Sequence, residues 1–408
     1  MATALDKLVY DTAQAARVSW FFGQKLLAAR LTKPMKLPER LKGRAMPDRR
    51  RILGDLRKLL EQDWRNVAAG VYAMPEEWRG NPLAELGRAI DFFTDLGAVD
   101  ARRHGARRER RLAARGAVHY PAYYRQHFHF QSDGYLSAAS AARYDHQVEV
   151  LFGGGAAAMR RQALVPLREA LREHKGGARS ARLLDVACGT GVVAITAARR
   201  GAKVSGLDLT PVLLERARHN ASVASVDIDF IEGDAEALPY PDGSFDVVLS
   251  QFGHIFAPRP AVVAREMLRV LKQGGRIAFS SWPPEHFTGR MFSFLADYLP
   301  PPPLGAERAA PAALWGDPNI VRERLGTSVT ALTFGRSTLT APALSVRHFR
   351  LAQEKTIGPL AKVVAALEND PAKLARLRAD FEAMASDAYD DDDNAIRMPF
   401  LMARATKV

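Results

Sequence analysis

At 408 residues the chain exceeds the usual size of one domain, and its 47% hydrophobic and 25% charged residues are the balance of a globular protein. No apolar run reaches the roughly 18 residues of a membrane-spanning helix, and a single cysteine, Cys188, excludes an internal disulfide or a cysteine-rich metal site. The net charge of +13 is uneven, with 33 Lys and Arg against 19 Asp and Glu in residues 1–182 but 25 against 26 in residues 183–408, so the first half suits an anionic surface or a solvated face.

Asp6, Lys7, Asp11 and Arg17 interrupt the N-terminal apolar pattern, which argues against a signal peptide and for a cytoplasmic protein. Leu5, Leu8, Val9, Ala16, Trp20 and Leu27 recur at helical spacing before a break at Pro34 and Pro38. A second stripe takes in Ile52, Leu56, Leu59, Leu60, Trp64, Val67 and Val71, and a third (Leu83, Leu86, Ile90, Phe93) ends at Gly97. These stripes predict amphipathic helices that pack as a cap on the rest of the chain. The seven arginines of "ARRHGARRERRLAARG" lack apolar periodicity and predict an exposed loop. In "HYPAYYRQHFHF", His127 and His129 alternate without a third ligand at suitable spacing, so no metal site is expected. Helices are expected from Ser137 to Phe152 and over Ala156–His174.

From Leu183 short apolar strands alternate with helical patterns: "RLLDVA", "KVSGLD", "DIDFIEG", "FDVVLSQ" and "GRIAFSSW". That alternation predicts a parallel sheet with helices on both faces. After Trp282 come an apolar helix, a proline-rich connection, a strand in "SVTALTFGRS", further helices, an acidic turn at Asp390–Asp393 and a last strand in "AIRMPFLMARAT". The chain divides into a basic helical extension over residues 1–135 and a second unit over 136–408. The latter has its core at 181–282, an insertion at 283–327 and terminal strands and helices at 328–408.

In "LLDVACGTGVVA" a strand stops in a glycine turn and opens a helix, which presents free backbone N–H groups and positive dipole. Gly189 to Ala194 also fits the G-x-G-x-x-G/A wording of a dinucleotide fold, with Asp208 at the next strand end. Three features disfavour a nicotinamide dinucleotide. Asp185 would repel a pyrophosphate, whereas it suits a ligand with an ammonium and a sulfonium. Asp234 in "EGDAEALPY" can accept from an exocyclic amine. Five strands follow within about 100 residues, without a second mononucleotide half.

With "VSGLDLT", "EGDAEALPYPDGSFDVVLSQFGHIF" and "EMLRVLKQGGRIAFSSW" in the same order, the chain resembles class I S-adenosylmethionine-dependent methyltransferases. The likeness is greatest to the small-molecule branch that includes quinone-biosynthesis methyltransferases. It implies an α/β fold, a Rossmann-like doubly wound sheet that is mostly parallel with an antiparallel terminal strand. Asp185, Gly189 and Gly191 would line the methionine end of the cofactor, Asp208 would take the ribose hydroxyls, and Leu209 would pack on the adenine. Asp234 and Ala235 would read the adenine edge, and Ser250, Gln251 and Phe252 would lie beside the sulfonium. The product would be S-adenosylhomocysteine, and no metal is implied.

Methyl transfer from a sulfonium is an in-line displacement that needs chiefly alignment and exclusion of water. A base helps only for some acceptors, and His254 and His286 are the candidates nearest the crevice. Tyr135 and Tyr144 could fold over the cofactor. Cys188 has no basic neighbour in sequence to activate it. The apolar "HFTGRMFSFLADYL" suggests a lid over a greasy pocket and hence a small apolar or aromatic acceptor. The alternatives are an RNA-modifying methyltransferase that uses the basic half, against which stands the absence of an "NPPY"-like loop, and a nicotinamide-linked oxidoreductase. Contact with an anionic membrane is a secondary expectation for the extension, and no oligomeric state follows from the sequence.

Overall fold

Each of the five apolar runs that come after Ser180 becomes a strand of one parallel array. The computed structural model describes residues 2–31, 49–75, 82–103, 145–150, 153–161, 164–165, 180–298, 312–342, 345–356, 360, 363–364, 366–390 and 395–408. The strands are β1 (Arg182–Val186), β2 (Lys203–Asp208), β3 (Ile228–Glu232), β4 (Phe245–Gln251), β5 (Leu271–Ser281), β6 (Val329–Pro342), β7 (Tyr389–Asp390) and β8 (Ala395–Lys407). Their order in the sheet is β3-β2-β1-β4-β5-β8-β6, with β7 paired to β8. Strands β1 to β5 run parallel, while β8 runs antiparallel between β5 and β6. The last strand of the chain therefore completes the interior of the sheet.

Both faces of the sheet are covered. Leu184, Val186 and Val248 join one apolar cluster, and Leu183, Val247 and Leu249 join another on the opposite side. Successive residues of a strand point to opposite faces, so a strand buried twice must be apolar almost throughout, as these are. The crossovers contain α5 (Val192–Ala198), α6 (Pro211–Val223) and α7 (Pro260–Val270), the last two with proline in the first turn, where its missing N–H costs nothing. Strand order reverses between β1 and β4, and in sheets of this kind the carboxyl ends of the strands at that point are where ligands bind.

The N-terminal extension forms α1 (Ala4–Leu31), α2 (Arg49–Ala68) and α3 (Pro82–Arg103). Residues Val67, Val71 and Tyr72 pack with Val193 and Ala197, so the extension lies against the helix that follows the glycine turn. It is fastened by buried Asp63, whose carboxylate accepts from Arg161 at 2.7 and 3.0 Å, Tyr10 at 2.7 Å and Tyr72 at 2.6 Å. Arg161 ends α4 (Ala156–Arg161), the described part of the helix expected over Ala156–His174.

The stripes of α1 and α3 correct a sequence expectation. Leu5, Leu8 and Leu27 of α1 and Leu83, Leu86 and Ile90 of α3 are exposed, whereas Tyr10, Gln14, Phe21 and Gln24 are buried. Polar side chains take the inner face because they find partners there, Tyr10 with Asp63 and Gln24 with His146. After β5, α8 (Phe287–Tyr298) buries Phe287, Met291 and Leu295 against α10 (Val346–Thr356) and α11 (Pro371–Ser386), where Phe349, Leu377 and Phe381 complete a separate core. Between them in the chain lies α9 (Pro318–Leu325), which buries Val321 and Leu325 under the sheet. The apolar residues of the insertion thus pack chiefly on other helices. No described helix is long and apolar enough to cross a membrane.

Candidate cofactor and acceptor site

Three carboxylates stand at the ends of three adjacent strands. Asp185 is the penultimate residue of β1, in register with Gly206 of β2 and Leu249 of β4. Asp208 closes β2, and Asp234 lies two residues past β3. Between the first two runs the glycine turn, where Gly189 and Gly191 both have left-handed φ, 55° and 79°. A β-carbon on Gly191 would come within 2.9 Å of the Phe230 ring, so glycine is required there both by conformation and by space.

Burial raises the Asp185 carboxyl to about 7, opposed by a hydrogen bond from the Ala194 N–H and reinforced by the charge of Asp208. Its Oδ2 is buried without a hydrogen-bond partner among the described residues. Asp208 is raised as well, by burial, although its oxygens accept from the N–H of Gly189 at 2.8 Å and of Thr210 at 2.9 Å. Asp208 therefore also shapes the entry to α6. Asp234 Oδ1 accepts from the N–H of Glu236 at 2.9 Å, a local turn that leaves Ala235 half-buried beside it.

Past β4 the backbone of Phe252 adopts φ 62°, a conformation that a non-glycine residue holds only at a cost. Its ring stacks on Trp282, just past β5, with centroids 4.8 Å apart, and Phe400 of β8 meets both edge-on at 5.9 and 6.2 Å. The three rings stand at the ends of β4 and β5 and beside them on β8. The next residue, Gly253, passes so close to Ala187 that a β-carbon would lie 2.3 Å from that side chain. The loops after β1 and β4 are thereby held together.

Residues 184–279 match the family model described as a methyltransferase domain. An uncharacterized protein of Mycobacterium tuberculosis is 40% identical over 187 residues, 46% of this chain and 67% of its own length. A second from the same species is 38% identical over 200 residues, 49% of this chain and 70% of its own. The chain belongs to the methyltransferase-domain family. A demethylmenaquinone methyltransferase of Deinococcus radiodurans is 42% identical over 152 residues, 36% of this chain and 59% of that protein. The enzyme is a class I S-adenosylmethionine-dependent methyltransferase, and its strand order carries the same Rossmann-like plan.

The residues of this methyltransferase fit the cofactor. The unpartnered Oδ2 of Asp185 matches an ammonium donor, and a β-carbon at Gly189 would meet nothing within 4 Å, so the turn is open on that side. Leu209 sits between Asp208 and the cap of α6. Among the described residues no group of three or more His, Cys, Asp or Glu is arranged to hold a metal.

Two candidates are placed differently from the sequence expectation. His254 is fully buried rather than at the acceptor entrance, with its ring edge-on to Phe279 and Trp315 at 5.1 and 4.6 Å. Burial, then the charge of Arg324, lower its pKa to about 3, so the ring is neutral and unsuited to a base exchanging protons with solvent. Ser250 Oγ donates to the Val186 carbonyl at 2.8 Å and lies 3.1 Å from His254 Nδ1, which makes it a tie between β1, β4 and the turn beyond. Gln251 remains half-exposed at the end of β4. His286 is partly exposed and faces Arg336, 3.2 Å from its Nε2. Burial pushes the Cys188 thiol well up, the opposite of an activated nucleophile. Tyr135, Tyr144, His127 and His129, with most of the arginine run, lie outside the described residues.

Sequence reading missed Trp282 and Phe400, although "GRIAFSSW" and "AIRMPFLMARAT" contain them, because only the fold brings strands five and eight side by side.

Proposed function

We propose that the enzyme transfers the methyl group of S-adenosylmethionine to a small, planar, apolar or aromatic acceptor. The observation that carries this reading is the bare carboxylate oxygen of Asp185 at the strand crossover, close in the fold to an aromatic stack at the ends of β4 and β5. When bound, the cofactor supplies an electrophilic methyl on a cationic sulfur. Asp185, Gly189 and Gly191 would hold its amino-acid end, Asp208 its ribose, and Leu209, Asp234 and Ala235 its adenine. Gln251 and Phe252 would flank the sulfonium. The half-exposed rings of Phe252 and Trp282, backed by buried Phe400, would give the acceptor a surface that favours offset or edge contacts with another ring. Such a surface would also shed water from the line of transfer, where alignment of the reactants can contribute about 7–11 kcal/mol. The name of the Deinococcus relative, a demethylmenaquinone methyltransferase, supports the same class.

The test is transfer of labelled methyl from S-adenosylmethionine to a panel of hydroxylated naphthalenes and benzenes, aliphatic amines and RNA. Label in the aromatic members, with release of S-adenosylhomocysteine, supports the proposal. Label in RNA alone overturns the acceptor class. The exposed leucines of α1 and α3 support a further proposal, contact of the extension with an anionic membrane. Sedimentation with anionic but not neutral vesicles supports it, and supernatant with both overturns it.

A further inference from the structure

We propose that Asp145 is a positioning residue for the cofactor turn, and that the helical residues 145–150 are the strut through which the N-terminal extension steadies that turn. The proposal rests on the cofactor reading under Proposed function.

The turn is tied at its first glycine, whose N–H donates to Asp208 at 2.8 Å, and at its second, whose N–H donates to the Cys188 carbonyl at 3.0 Å. Thr190 stands between two glycines with left-handed φ, so no flanking side chain limits the backbone. Thr190 is buried, and its Oγ donates to Asp145 Oδ1 at 2.6 Å. The Asn220 amide of α6 donates both to Asp145 Oδ2 at 3.2 Å and to the Thr190 carbonyl at 3.1 Å. Asp145, Thr190 and Asn220 thus close a triangle around the one residue between the glycines that carries a side-chain handle. A charged acceptor makes the Thr190 bond stronger than a neutral one would. Arg160 lies 3.4 Å from the same Oδ1.

His146, Glu149 and Val150 contact the extension. His146 Nε2 lies 2.7 Å from Gln24 Oε1 of α1. Glu149 pairs with Arg17 of α1 at 2.6 Å and accepts from the N–H groups of Ala157 and Ala156 at 2.8 and 3.2 Å, which fixes the start of α4. Arg17 Nε also donates to the Gly154 carbonyl at 3.3 Å. Residues 145–150 therefore touch α1 on one side and the cofactor turn on the other. The separation is 45 residues in sequence between Asp145 and Thr190.

The experiment is titration of S-adenosylhomocysteine into the full chain by calorimetry, with thermal unfolding recorded alongside. Asp145→Ala and Thr190→Val are each expected to weaken binding about tenfold. The double variant is expected to be no weaker than either single one, since both remove the same bond. Thr190→Ser keeps the hydroxyl and is expected to bind within about twofold of the wild type. Arg17→Ala, remote from the turn, is expected to weaken binding about threefold. Wild-type affinity in Thr190→Val, or losses that multiply in the double variant, would overturn the positioning role even if every variant melts early. Wild-type affinity in Arg17→Ala would overturn the strut. A wild-type chain that takes up no S-adenosylhomocysteine would instead remove the cofactor reading on which both stand.

Discussion

Ser250 Oγ lies 3.1 Å from Nδ1 of His254, and both side chains are buried. The pair belongs to the fold beneath the site. His254→Gln is therefore expected to lower the melting temperature while leaving cofactor affinity and turnover within a few-fold of the wild type. The pH dependence has a definite sign. A histidine held neutral, with its pKa depressed to about 3, costs the fold stability as pH falls below the ordinary value of 6.5, because only the unfolded chain takes up the proton. The stability gap between wild type and His254→Gln should narrow as pH falls from 8 to 5. A hundredfold loss of turnover at an unchanged melting temperature would restore the catalytic assignment.

Asp185 gives the opposite sign. Its carboxyl is raised to about 7 from 3.8, so the fold prefers the protonated form, and the cost of the buried charge grows from pH 4 to pH 7 and is constant above. Asp185→Asn should raise the melting temperature of the ligand-free protein at pH 8, with an advantage that shrinks toward pH 5. A cationic cofactor favours the carboxylate, so affinity for S-adenosylmethionine in the wild type should strengthen as pH rises through 7 and should lose that dependence in the variant. Calorimetry at pH 6 and pH 8 checks both halves.

Asp208 accepts from two backbone N–H groups and, in the proposed complex, from two ribose hydroxyls. Each hydrogen bond to a charged group is worth about 1.5–3 kcal/mol. Asp208→Ala should weaken cofactor binding at least a hundredfold, with a smaller loss of stability from the released turn. Unchanged affinity in a folded variant would remove the ribose assignment.

The strained backbone of Phe252 allows a separation of ring from conformation. Phe252→Gly relieves a left-handed conformation that costs about 1–2 kcal/mol, which offsets part of what the lost ring contributes, about 0.5–1.5 kcal/mol from stacking on Trp282 and more from its buried area. It should melt above Phe252→Ala, which loses the ring and keeps the strain. Trp282→Ala should raise the KM for an aromatic acceptor about tenfold while leaving cofactor affinity unchanged. Equal effects on acceptor and cofactor would place the stack outside the acceptor surface.

The strands β1 and β4 are legible because apolar runs bounded by glycine and acids state a doubly buried strand almost directly, whereas edge strand β3 buries only Phe230. The acids at the strand ends are legible as strand terminators, although Asp208 and Asp234 also accept from backbone N–H groups of the turns that follow. Burial of His254 is not legible, for it depends on Trp315, which reaches it from beyond the insertion's first helix. The outward facing of the α1 and α3 stripes is not legible, because periodicity counts apolar residues and cannot see distant polar partners. Tyr10 meets Asp63 from 53 residues away, and Gln24 meets His146 from 122. The apolar insertion suggests a pocket wall, yet Phe287 and Leu295 pack with Phe349 and Phe381 on helices whose docking no local pattern records.

Which nucleotide the glycine turn holds is decided by one calorimetric comparison. S-adenosylmethionine, S-adenosylhomocysteine and NAD are titrated separately into the wild-type chain and into Asp208→Ala. The predicted result is one site per chain for the first two ligands, none for NAD, and a loss of at least a hundredfold in the variant. Binding of NAD with no uptake of S-adenosylhomocysteine would contradict the cofactor assignment.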